Sequence, residues 1–134
     1  MMSIDSIFRA TPCAVDGVLL IDKPLGCTSF DVIRKLRRVC GFKKIGHAGT
    51  LDPFATGLLV ILLGKATRCS QRLMCGRKTY EGTIRLGVET STYDREGEVV
   101  STTSVDSLTD GAIQTTLKTF LGDQYQEDRK EHTV

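Results

Sequence analysis

Apolar residues along this chain fall into short runs separated by glycine, proline and charge. Gly17-Val18-Leu19-Leu20-Ile21-Asp22-Lys23-Pro24 is an aliphatic, β-branched run stopped by proline, which predicts a strand. After a turn at Leu25-Gly26-Cys27, Thr28 or Ser29 is placed to cap a helix. In that helix Val32, Ile33, Leu36 and Val39 form one apolar stripe, Arg34, Lys35, Arg37 and Arg38 fill the other faces, and Gly41 ends it. Leu58–Leu63 is apolar throughout, as in a strand buried on both faces. Gly64–Met74 reads as a short helix whose Lys65, Arg68 and Arg72, at i, i+3 and i+7, share a face. Lys78–Gly87 alternates as a strand does, Thr90–Gly97 is a polar turn, and Glu98-Val99-Val100 a further short strand. Thr109 caps a last helix with Ile113, Leu117, Phe120 and Leu121 on one side and Gly122 at its close. Residues 1–16 lack periodicity and read as a loose leader, and residues 123–134 as a polar tail without core positions.

The chain has 134 residues, 40% hydrophobic and 25% charged, the balance of one folded domain rather than of a disordered segment. The start lacks a signal-peptide pattern, and the longest apolar run is too short to span a bilayer. Five widely spaced cysteines with no CxxC pair and two distant histidines point to free thiols in a reducing cytoplasm, with no metal site. Charge changes the picture more. The net charge is only +2, yet Arg34 to Lys78 holds eleven basic residues and a single acid, Asp52. Such a span suits a polyanion such as nucleic acid, although solvated helix faces would give the same count.

That acid lies in Gly46-His47-Ala48-Gly49-Thr50-Leu51-Asp52-Pro53-Phe54-Ala55-Thr56-Gly57, between Phe42–Ile45 and the apolar run from Leu58. Glycines allow backbone conformations closed to other residues, and Pro53 fixes its own φ and biases Asp52 towards extended geometry. The stretch predicts a rigid loop presenting one carboxylate. An Asp-Pro turn closed on its own backbone is the competing reading. The pattern matches neither GxxxxGK[ST] nor GxGxxG, and a second carboxylate would have to come from Asp22 or Glu81 through the fold. What is left is chemistry by one carboxylate, as nucleophile or base, on a substrate whose phosphates are held by Lys and Arg.

Together, Gly17–Pro24 with Thr28-Ser29, Lys44–Leu59 with its GHAGTLDPFATG block, Gly64-Lys65-Ala66-Thr67, Lys78-Thr79-Tyr80 and Arg85-Leu86-Gly87 resemble the TruB family of tRNA pseudouridine synthases, in order over roughly residues 17–100. The resemblance implies an α+β fold, a mixed and largely antiparallel sheet with flanking helices, with residues 17–122 forming the N-terminal part of the catalytic domain. By position, Asp52 matches the aspartate that initiates cleavage of the uridine C1′–N1 bond, by attack at C1′ or by removal of the 2′ proton. Tyr80 matches the tyrosine that stacks on the base and helps remove the C5 proton, and His47 the histidine that stabilises the rearranged T-loop. Lys23, Lys44, Lys65, Arg68, Arg72 and Lys78 are the expected substrate-binding cations. The reaction implied needs no cofactor and no metal, and its partner is the T-arm of tRNA, met by a monomer. Thr90–Gly97 looks like the bacterial-type enzymes, so uridine 55 is the expected target. The family continues after Phe120-Leu121-Gly122 with a Gln-x-Pro-Pro segment, further strands and a site arginine, none matched by residues 123–134. The fold is thus expected to be incomplete here, and the chain alone inactive and marginally stable. The alternative function is an inactive tRNA-binding fragment or an RNA-folding chaperone.

Overall fold

The computed structural model describes residues 15–125. Cys13, nearly all of the expected leader and most of the expected tail (residues 126–134) lie outside the described residues. The rest divides into two compact units, with the boundary between Thr79 and Tyr80.

The first unit is built on a three-stranded antiparallel sheet in the order β1, β3, β2. Strand β1 (Gly17–Lys23) pairs along its whole length with β3 (Gly57–Leu63), and β2 (Ile45–His47) pairs with the far half of β3. The most apolar strand is therefore the central one, as expected when both of its edges must be covered. Helix α1 (Ser29–Cys40) joins β1 to β2 and lies against one sheet face. Its Ile33 forms a core with Ile45, Leu59, Ile61 and Leu63, edged by Leu19, Ile21, Val32, Leu36, Phe42 and Leu51. The helix starts where the sequence predicts. The Thr28 hydroxyl accepts from the Asp31 backbone N–H, while the Asp31 carboxylate accepts from the Thr28 N–H, a closed capping box. Gly41, at φ 67°, ends the helix in the left-handed conformation.

On the other sheet face Leu62 is buried and Val60 half-buried, but Leu58 is exposed, as are Val18 and Leu20 of β1. Burial of Leu58–Leu63 on both faces is thus met only towards the strand's C-terminal end. Alternation explains why: residues 59, 61 and 63 face α1, whereas Leu58 shares the opposite face with Val18 and Leu20. Beyond β3 the expected single helix is a 3-10 helix (Gly64–Cys69) running into the short α2 (Ser70–Met74).

In the second unit β4 (Val88–Thr90) and β5 (Val99–Thr102) form an antiparallel pair with a register shift at Glu89/Thr90. Helix α3 (Asp110–Lys118) follows, capped by the Thr109 hydroxyl, which accepts from Ala112 N–H. Two expectations fail here. Lys78–Gly87 forms no strand, and Tyr80, Ile84 and Leu86 are exposed. Phe120 and Leu121 lie beyond the end of α3 and are exposed as well. An alternating pattern selects the two faces of a strand but supplies no ladder partner, and no described strand pairs with Lys78–Gly87. No helix among the described residues is long and apolar enough to cross a membrane.

Candidate active site

Asp52 sits in the connection between β2 and β3, the two neighbouring antiparallel strands that hold the ends of its loop. Gly49 (φ 120°) and Gly57 (φ 111°) occupy conformations closed to side-chain-bearing residues, so the loop can fold back tightly between the strands. Its Ala48 N–H still donates to Val60 O, extending the ladder by one bond.

The residues flanking Asp52 are held from three directions. The Ser29 hydroxyl, at the first position of α1, accepts from Leu51 N–H at 2.9 Å and donates to Leu51 O at 3.2 Å. The Asp52 carbonyl accepts from Ala55 N–H at 3.0 Å within the loop. The Pro53 carbonyl accepts from Gly26 N–H at 2.8 Å, in the turn after β1, and from Lys23 Nζ at 3.4 Å, at the end of β1. Three successive carbonyls are thus hydrogen-bonded, that of Leu51 to α1, that of Asp52 within the loop, and that of Pro53 to the end of β1 and the turn after it. Each bond limits the tilt of one peptide plane, and together they restrict φ and ψ of Asp52. The residue itself is exposed, on a backbone whose flanking peptide planes are held by these bonds.

Lys23 differs most from its expected role. It is fully buried, and its ammonium donates to the carbonyls of Cys27 (2.7 Å), Pro24 (3.0 Å) and Pro53. An ammonium has three donors, and all three are used on backbone, which leaves no face for a phosphate. The sequence carries a signal for this: Leu19, Ile21 and Lys23 alternate on the side of β1 that faces the core. Ser29 stands in the sequence as no more than an alternative helix cap; its bond to a loop 22 residues away has no local signature.

The other cations stay outside. Lys44 is exposed just ahead of β2, and its carbonyl accepts from Gly64 N–H at 2.8 Å. Lys65 and Arg68 stand on the 3-10 helix and Arg72 on α2, and all three are exposed. Residues three apart eclipse one another on a 3-10 helix, so Lys65 and Arg68 remain on one side despite the change of helix type. Lys65 is also tied to the start of the described chain: its N–H donates to Asp16 Oδ1 at 2.6 Å and its ammonium lies 3.5 Å from Asp16 Oδ2. That backbone hydrogen bond, with the nearby ammonium, holds the Asp16 carboxyl below its ordinary pKa. Lys78 donates to Met74 O at 2.7 Å, and its stem runs beside the loop, 3.9 Å from where a Cβ on Gly49 would lie.

His47 closes β2, opposite Ile61, and is half-buried. Its Nδ1 is buried with no hydrogen-bond partner among the described residues. Tyr80 opens the second unit and is 70% exposed. Among the described residues, no three of His, Cys, Asp or Glu gather as metal ligands would, and Cys27, Cys40, Cys69 and Cys75 are free thiols.

Known proteins share this arrangement of sequence. The chain is 54% identical over 112 residues to a tRNA pseudouridine synthase B of Opitutus terrae, covering 84% of this chain and 46% of that protein. It is 46% identical over 123 residues to the protein of the same name from Corynebacterium glutamicum, covering 92% of this chain and 41% of that one. The chain therefore spans less than half the length of these curated relatives. Among solved structures, an H/ACA RNP bound to a substrate RNA containing 2′-deoxyuridine matches at 45% identity, over 42% of this chain and 18% of that one, with a TM-score of 0.41. The family model described as TruB family pseudouridylate synthase, N-terminal domain, matches residues 37–130. With that model covering well over half of its length, the chain belongs to the TruB family of pseudouridylate synthases.

Proposed function

We propose that this chain carries the reacting carboxylate of a tRNA pseudouridine synthase that converts uridine 55 of the T-loop to pseudouridine. The observation that supports this reading is the exposed Asp52 on a loop whose three neighbouring carbonyls are all bonded to other elements or across the loop. A group that must meet a sugar carbon or its proton in one orientation gains most from such a mount.

In this reading Asp52 initiates cleavage of the C1′–N1 bond, by attack on C1′ or by removal of the 2′ proton. The freed base turns and rejoins the ribose through C5, and loss of the C5 proton completes the isomerisation. The target must leave the stack first, and an exposed aromatic such as Tyr80 offers the face on which an extruded base can rest. Tyr80 also assists removal of the C5 proton, and His47 supports the rearranged loop of the RNA. Lys44, Lys65, Arg68, Arg72 and Lys78 neutralise phosphates of the T-arm. The free thiols suit a reducing cytoplasm.

The test is to incubate the full-length protein that carries this sequence with unmodified tRNA and with the same tRNA carrying cytidine at position 55, and to map pseudouridine by chemical modification and primer extension. A stop at position 55 in the first tRNA and none in the second is expected. Pseudouridine elsewhere would refute the assigned target. Tight binding of tRNA with no product would favour an RNA-binding or RNA-folding role instead.

A further inference from the structure

We infer that Ser29 is a positioning residue for Asp52, holding the peptide plane that joins Leu51 to Asp52 during the glycosidic step; this rests on the pseudouridine synthase reading above. Ser29 is only 3% exposed, so its hydroxyl cannot be satisfied by solvent. Both of its hydrogen bonds go to a single residue, Leu51, one to its N–H and one to its carbonyl. The N–H belongs to the peptide plane before Leu51 and the carbonyl to the plane after it. One side chain thus fixes both planes that flank Leu51, and the second of them contains the backbone nitrogen of Asp52.

The helix itself has no use for this hydroxyl. Thr28 already caps α1, and its reciprocal partner is Asp31. At a buried first helical position, alanine would fit the helix at least as well and would bring no polar group to satisfy. The reason for a serine here lies in the loop rather than in the helix. Its effect also differs from that of Lys23 and Gly26, which act on Pro53, beyond the reacting residue. With the Ser29 bonds gone, Asp52 keeps its downstream restraint and loses the upstream one. The carboxylate can then swing about the Pro53 end, with the RNA-binding cations undisturbed.

Such a role affects the reaction and not the grip. In Ser29→Ala, single-turnover conversion at saturating tRNA should fall about 10- to 100-fold, the scale expected when a reacting group is misplaced by roughly an ångström. The Kd for tRNA should stay within about twofold, since the phosphate-binding cations are untouched. Thr28→Ala serves as the matched control: it weakens the same helix end without touching Leu51, and its turnover should stay near that of the wild type. Amide exchange gives a second readout, in which Leu51 exchanges more than about tenfold faster in Ser29→Ala while the centre of β3 is unchanged. Wild-type turnover in Ser29→Ala, an equal rate loss in Thr28→Ala, or unaltered Leu51 exchange would each overturn the inference. A wild-type protein that forms no pseudouridine would instead overturn the functional reading and the glycosidic step with it, while Leu51 exchange would still show whether the serine holds the loop.

Discussion

Burying a charged side chain is unfavourable unless its hydrogen-bonding capacity is met, and Lys23 meets it entirely from the backbone. Two of its acceptors, Pro24 and Cys27, belong to the turn after β1, and the third belongs to the Asp52 loop. The residue therefore joins the end of a strand to the candidate active site. Lys23→Met keeps much of the stem but leaves these carbonyls short of donors. It is expected to lower stability by about 1–3 kcal/mol per group left unsatisfied, read from urea unfolding. The salt dependence of tRNA binding should not change, because this ammonium neutralises no phosphate; a smaller slope would return Lys23 to the RNA-binding set. This placement is legible in part. Alternation along Leu19, Ile21 and Lys23 puts the ammonium on the core face, whereas its most distant acceptor lies in a loop 30 residues away in sequence. Ser29 is less legible still, because serine after threonine at a helix start satisfies the capping pattern without any tertiary role.

Among the elements, α1 is the most readable, since stripe, cap and C-terminal glycine all act within one helix. The same local chemistry gives it a pH dependence. The Thr28 hydroxyl and backbone N–H, donating to Asp31, hold that carboxyl below its ordinary value of 3.8, with Arg34 contributing less. A depressed carboxyl stabilises the fold above 3.8 and loses that contribution as pH falls below it. Asp31→Asn should therefore flatten the fall in melting temperature between neutral and strongly acidic pH, and an unchanged profile would remove the capping box from the acid response. The basic row after β3 is also legible, though as one α-helix rather than a 3-10 helix running into α2. Replacing Lys65, Arg68 and Arg72 by Gln should weaken tRNA binding and reduce the log–log salt slope by about 0.7 to 0.9 for each phosphate no longer neutralised. An unchanged slope would assign that face to solvent. Lys78–Gly87 misleads because period-2 alternation identifies faces and says nothing of a hydrogen-bonding neighbour.

For the molecule as a whole, the first unit is where sequence pattern and structure agree best. A strand–helix–strand segment receives β3 between its two strands, and the loop this creates carries the one acid of the basic span. The GHAGTLDPFATG block makes the loop recognisable. How its backbone is held emerges only from the fold, because the bonds come from β1, from α1 and from within the loop. The central claim is that this frame exists to present the Asp52 carboxylate to a nucleotide. The most direct measurement is pseudouridine formation in tRNA by Asp52→Asn, followed in a single turnover beside the wild type, with tRNA affinity measured on the same preparations by filter retention. Asparagine keeps the shape and loses the charge and nucleophilicity of the carboxylate, so product should vanish while binding is retained. Substantial pseudouridine from the Asn variant would contradict the account and remove Asp52 from the mechanism.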